Sequence, residues 1–218
     1  SHKLEAGAYE LNSSMNAMQI GQKLAGGNIL QEFITIPDGW TAQDVARELE
    51  RQKFFTKEEF LAFAQKHEGH LFPDTYQISR TQSAEDIVLM MVRNFDAHFT
   101  QSLRNEIAKQ KKTIFQIATM ASVLEKEVQT LQDKNIVAGI LWKRMKNEIA
   151  LQVDAAPDTY KHQGLPLNPI SNAGINSITA ALYPTSSPYF FYLSKKDGTT
   201  VYSITLAEHN IAVAKYLK

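Results

Sequence analysis

Apolar positions recur along this chain mainly at helical spacing. Between residues 114 and 128, taking about 100° per residue, Ile117, Ala118, Ala121, Leu124 and Val128 fall on one arc. Glu125 falls inside that arc, and Glu127 lies about 200° away from it, at the edge of the stripe. The same pattern predicts a helix over Met15–Ala25 closed by Gly26 and Gly27, and one capped by Thr41 with Val45, Ala46 and Leu49 inward. A third is capped by Thr56 with Glu59 completing a capping box and Phe60, Leu61 and Phe63/Ala64 inward. A fourth is capped by Ser83 and carries Ile87, Met90, Met91 and Phe95 as its stripe. Further helices are expected over Gln101–Lys109, Ile114–Gln129 and Gln132–Glu148, the last with Ile136, Ile140 and Trp142/Arg144 on its faces.

Extended chain is expected at Ala6–Asn12, in the run "EFITIP" ending at Pro37, and after the breakers Gly69 and Pro73. An irregular stretch rich in Pro, Asn and Gly runs from Leu151 to Gly174, followed by a short helix in "NSITAALYP". The end reads as a hairpin around Asp197-Gly198 and a closing helix. The fold class is therefore α+β. "PDTY" occurs twice, at Pro73–Tyr76 and Pro157–Tyr160, too short to make a repeat.

A carboxylate on an apolar face is either paired with a cation or keeps its proton through desolvation, which raises its pKa. The second state is what a general acid needs. A rim position, snorkelling to solvent or bridging to Lys or Arg, is the plainer alternative for Glu125. Ser122 and Lys126 are the neighbours expected to orient or neutralise it. The 151–174 stretch is long for a connection, which favours a functional role. Its Gln152, Asp154, Asp158, Tyr160, Gln163, Asn168 and Asn172 offer amides, carboxylates and a stacking ring suited to a carbohydrate.

Composition narrows the classes. The 218 residues are 44% hydrophobic with 23 basic and 23 acidic side chains, so no basic surplus points to nucleic acid. The run "AKQKK" at Ala108–Lys112 reads as a solvated helix end. The chain has no cysteine, which removes disulfides, thiolate metal sites and cysteine nucleophiles. "HEGH" at His67–His70 has a spacing of three and a helix-breaking Gly69, so no metal is expected. No cofactor is expected either. The aromatics of "YFFYL", Tyr189–Leu193, read as core and sheet residues rather than a sugar platform. His209 reads equally as a cleft residue or a packed one.

Several segments resemble one family in order along nearly the whole chain. "ITIPDGWTAQDVARELE" is similar to its "TIPEGWT", "EGHLFPDTYQI" to "EGYLFPDTY", and "MASVLEKEV" to "ASIVEKE". "LQVD" resembles "LQTDPT", "DTYKHQGLPLNPISNAG" resembles "NTY…GLPPGPI.NPG", and "ITLAEHNIAVAKY" resembles a closing "T..EHN" segment. These are the YceG-like endolytic murein transglycosylases, the MltG type. The family's insertion between "LQTDPT" and "NTY" is nearly absent here, Asp158 replaces its Asn, and His70 replaces its Tyr.

The resemblance implies a LysM-like α/β N-terminal subdomain within residues 1–78 and a mainly helical catalytic domain over 79–218 with a C-terminal β-hairpin. It implies cleavage of the MurNAc-β-1,4-GlcNAc bond inside nascent glycan strands, leaving 1,6-anhydroMurNAc ends and ending strand elongation. It implies attachment to the bacterial inner membrane by an N-terminal helix, with this part on the outer side, and peptidoglycan strands and cell-wall synthases as partners. The first Glu of "EKE", Glu125, is thereby expected to be the catalytic acid, with Ser122, Glu127, Gln152, Asp154, Tyr160, Asn172 and His209 holding the sugars. Asp154 as a second carboxylate keeps hydrolysis open. A noncatalytic wall-binding module or a scaffold of the synthesis machinery is the competing expectation.

Overall fold

A computed structural model describes residues 9–26 and 30–217. The strand expected at 6–12 lies partly outside these residues, and 9–12 form no strand. Helix α1, Ala17–Ala25, begins two residues later than expected because Asn16 is its N-cap and forms a capping box with Gln19. Gly26 ends it, and Gly27 lies outside the described residues.

Strand β1, Gln31–Thr35, pairs antiparallel with β2, Thr75–Ser79, in the register Phe33 opposite Gln77. Between them run α2, Ala42–Arg51, and α3, Lys57–Ala64, each opened by the expected threonine through a capping box. The box satisfies two orphan backbone N–H groups reciprocally, so the start of each helix is fixed locally. Helix α4, Ala84–His98, follows its Ser83 cap. Ile34, Val45, Leu49, Phe60, Leu71, Ile78, Ile87 and Met91 make one core.

The second core is helical. It uses α5, Gln101–Lys109, α6, Ile114–Glu127, α7, Leu131–Lys146, and α8, Ile175–Leu182. Phe95, Phe99, Ile107, Ile117, Met120, Leu124, Val137, Leu141 and Leu182 fill it. Helix α4 thus serves both cores, the first through Ile87 and Met91 and the second through Phe95. Helix α6 is buried on every side from Ile117 to Leu124. Strands β3, Phe191–Ser194, and β4, Thr200–Ser203, form the predicted hairpin, and α9, Leu206–Tyr216, closes the chain.

The 151–174 stretch is no loose surface connection. Leu151, Val153, Ala156 and Ala173 are buried, and Pro157–Tyr160 form a 3₁₀ turn. The basic run at 108–112 departs from its expected solvation at one point: the Lys112 ammonium lies 3.9 Å from the Trp142 ring centre, and burial lowers its pKa. No helix among the described residues is long and apolar enough to cross a membrane.

Candidate active site

A cleft of about 860 Å³ opens where the end of α6 meets β3, α9 and the 152–160 segment. Glu127, Arg144, Gln152, Asp154, Tyr160 and Tyr192 line it. Glu127 is the last residue of α6, and Ser194 of β3 clasps that end by donating to the Glu127 carbonyl at 3.0 Å. Its carboxylate accepts from the Tyr192 hydroxyl at 2.9 Å and from Ala155 N at 3.3 Å. Burial raises its pKa, the Asp154 charge adds to the rise, and the two hydrogen bonds oppose it. Burial together with Glu127 raises the Tyr192 pKa well above its ordinary value, so this hydroxyl stays a donor.

Across the cleft the Tyr160 hydroxyl donates to Asp154 Oδ1 at 2.6 Å, a bond that pushes the Tyr160 pKa up to about 12. Tyr160 is 51% exposed. Arg144, buried in α7, donates to Gln152 Oε1 at 2.9 Å, and its guanidinium lies 5.5 Å from the Phe191 ring centre. Gln152 has a positive φ of 50°, a conformation that costs a non-glycine residue about 1–3 kcal/mol. His209 stacks on Phe191 at 5.4 Å, and burial with the Arg144 cation lowers its pKa.

Glu125 lies elsewhere. Its Oε1 is 2.7 Å from Lys134 Nζ, and its Oε2 accepts from Ser177 Oγ at 2.6 Å and Gly174 N at 3.3 Å. Of the two explanations for a carboxylate on an apolar face, the structure has the ion pair. The cation is Lys134 from α7, and Lys126, the expected neighbour, lines the cleft instead. Asp38 stands beside the pair, its pKa raised by burial and then by Glu125, and lowered by Lys134.

Two expected sugar ligands, Ser122 and Asn172, do not line this cleft. Ser122 is fully buried; its hydroxyl donates to Thr119 O and accepts from Ile170 N at 3.0 Å, so it ties α6 to the 151–174 segment and makes no hydrogen bond to Glu125. Asn172 is buried between the two cores. Its Nδ2 donates to Trp40 O at 2.9 Å and to Glu68 Oε1 at 2.8 Å, and its Oδ1 accepts from Leu71 N at 2.9 Å. Glu127, Gln152, Asp154, Tyr160 and His209 do come together in the cleft.

Arg144, Phe191 and Tyr192 were not expected there. The signal for the two aromatics is the "YFFYL" run, whose reading as core and sheet holds: Tyr192 packs against the helical core, and with Phe191 it also lines the cleft. The described residues hold no group of three or more His, Cys, Asp or Glu side chains able to bind a metal, and His70 packs 4.6 Å from the Phe95 ring.

The comparisons agree with this architecture. A YceG-like protein from Listeria monocytogenes has a crystal structure that superposes with a TM-score of 0.76 at 31% identity, covering 96% of this chain and 85% of that one. A Bacillus subtilis protein named endolytic murein transglycosylase is 29% identical over 264 aligned positions, covering 98% of this chain and 73% of that protein. A Streptococcus pneumoniae protein of the same name is 21% identical, and this chain, 98% covered, spans 51% of its length. An aligned span of 264 positions exceeds the 218 residues here, so the Bacillus protein carries segments that this chain lacks. The YceG-like family matches residues 1–157 and 158–215, two stretches that meet at the shortened segment beside the cleft. With nearly its whole length matched, the chain belongs to the YceG-like family.

Proposed function

We propose that this protein is an endolytic lytic transglycosylase of peptidoglycan that cleaves the MurNAc-β-1,4-GlcNAc bond within nascent strands, with Glu127 rather than Glu125 as its acid. One observation carries the reading: Glu127 stands in the wall of the large cleft with its pKa raised by burial. A carboxyl group that keeps its proton toward neutral pH is a competent general acid. Glu125, held by Lys134, is a carboxylate already spent on a cation.

The chemistry needs only one such group. Glycosidases that use water or a covalent intermediate need two carboxyl groups. Here Glu127 gives its proton to the leaving C4 oxygen of GlcNAc as the C1–O bond breaks. The C6 hydroxyl oxygen of the same muramyl residue bonds to C1, and its proton returns to the Glu127 carboxylate. No water is consumed, and the product is a 1,6-anhydro end. Tyr192 and Ala155 N steady the carboxylate between the two steps. The exposed Tyr160 supports a sugar ring, and Gln152 and Asp154 supply polar contacts. The names of the Bacillus and Streptococcus relatives support the same activity.

The finer reading follows from the same resemblance. The protein acts outside the cytoplasm, held to the inner membrane by a helix, terminates strand elongation beside synthases, and carries a LysM-like subdomain in residues 1–78 ahead of the catalytic domain in 79–218. Incubating the protein, Glu127→Gln and Glu125→Gln with uncrosslinked strands, then weighing the product ends, tests it. Anhydro ends from the parent and from folded Glu125→Gln, with none from Glu127→Gln, are expected. Reducing ends, one water heavier, would mean hydrolysis with Asp154 as the second carboxylate. Binding without any cleavage would leave a wall-binding module or scaffold.

A further inference from the structure

The cleft holds a cation that the described residues leave without a paired carboxylate. Arg144 is 5% exposed, yet no carboxylate among the described residues forms an ion pair with it. Among the described residues its side-chain hydrogen bond runs to the neutral amide of Gln152, and Phe191 lies against its guanidinium. The described residues have three buried side-chain polar atoms with no hydrogen-bond partner, and two of them, Arg144 Nε and His209 Nδ1, belong to this cleft. Native proteins pair nearly all such atoms, so two orphans beside one cavity call for an occupant.

The occupant's charge follows from the energetics. A guanidinium taken out of water loses its hydration, and neutral partners recover only part of that loss. A carboxylate recovers most of it, because the flat guanidinium fork matches its two oxygens. The acids already in the cleft are otherwise engaged, Asp154 by Tyr160 and Glu127 by Tyr192 and Ala155. Lys126 adds a second cation to the wall.

Resting on the transglycosylase reading, we infer that Arg144, with His209 beside it, is a recognition site for a carboxylate carried by the muramyl residue of the strand. GlcNAc is neutral, so such a site tells the two alternating sugars apart and sets the register in which a bond reaches Glu127. Two sources have this chemistry: the lactyl carboxylate of a muramyl residue without peptide, and a carboxylate on the stem peptide. Gln152, in its strained conformation, holds the guanidinium toward the cleft.

The test measures binding to the chain carrying Glu127→Gln, by fluorescence anisotropy with labelled tetrasaccharides. One pair has free lactyl carboxylates or their methyl esters. A second pair has stem peptides ending in a carboxylate or a carboxamide. In one pair the charged member is expected to bind about tenfold or more tightly than its neutral partner, and that pair identifies the source. Adding Arg144→Gln is expected to abolish the ratio, and Arg144→Lys, which keeps the charge but not the fork, to retain part of it. Should Arg144→Gln fail to fold, the Lys variant and the ligand pairs on the parent decide the matter. Equal affinity within both pairs, or a ratio unchanged by the Arg144 variants, overturns the site. Cleavage by the unmutated protein is followed in parallel. Equal affinities with cleavage overturn the site alone, whereas no binding and no cleavage overturn the transglycosylase reading with it.

Discussion

Lys134 Nζ meets Glu125 Oε1 at 2.7 Å, with the two side chains only 5% and 9% exposed. The pair joins α6 to α7, and Ser177 and Gly174 bind the second carboxylate oxygen at the start of α8. Removing one member of a buried pair strands the other. Lys134→Met or Glu125→Gln is therefore expected to cost about 3–5 kcal/mol of folding stability. The double variant should lose less than the sum of the singles. Urea denaturation of all four proteins checks this; additive losses would mean that the two groups are not coupled.

Glu127 behaves differently. Glu127→Gln should lower kcat by about 10²–10⁴-fold while leaving the fold intact. The parent's kcat should fall as pH rises through the raised Glu127 pKa, because the protonated form gives up the proton. Stability has the same sign. The folded state holds this proton above the ordinary value of 4.5, so stability associated with Glu127 is full below that value and declines as pH rises through the folded pKa. Glu127→Gln should remove that decline, so its melting temperature should exceed the parent's at neutral pH. A melting curve series from pH 4 to 8 on both proteins reads it.

Asn172 is a clasp between the two cores. Asn172→Ala leaves the buried Leu71 N–H without its acceptor, a loss of about 1–3 kcal/mol from that group alone. It also removes one donor from the Glu68 carboxylate, which keeps its bond from Ala42 N at the start of α2. The expected result is lower stability measured by calorimetry, with KM for glycan strands unchanged once the protein is folded. A raised KM at full stability would return Asn172 to the substrate.

Gly139 sits inside α7, where alanine ordinarily adds about 1 kcal/mol of helix stability. A β-carbon there would collide with the Thr185 carbonyl, which crosses close to the helix. Overpacking of this kind costs about 1–3 kcal/mol, so Gly139→Ala should lower the thermal midpoint despite the better propensity.

Much of the fold was legible because its signals are local. The capping residues Thr41, Thr56 and Ser83 bind backbone groups three residues away, and each opens the expected helix. The hairpin likewise follows from its own turn, with Gly198 at a φ of 83°. The cleft residues Gln152, Asp154 and Tyr160 were legible as a polar, ring-bearing segment too long to be idle.

What the sequence by itself determined was therefore the order of most helices and strands, the family, and the presence of two carboxylates, Glu125 and Glu127, in the last turn of α6. Which carboxylate faces the cleft was decided by tertiary structure. The helical wheel of α6 assumes one apolar face and one wet face, but this helix is buried all round from Ile117 to Leu124. Only the neighbours distinguish its last turn: Lys134, Ser177 and Asp38 surround Glu125, and Tyr192 and Ala155 meet Glu127. The two copies of "PDTY" make the same point. Pro73–Tyr76 runs into strand β2, where β1 supplies its partner, and Pro157–Tyr160 coils into a 3₁₀ turn over a buried Thr159. Four identical residues carry the same local preferences, and the contacts each copy finds across the fold select between them.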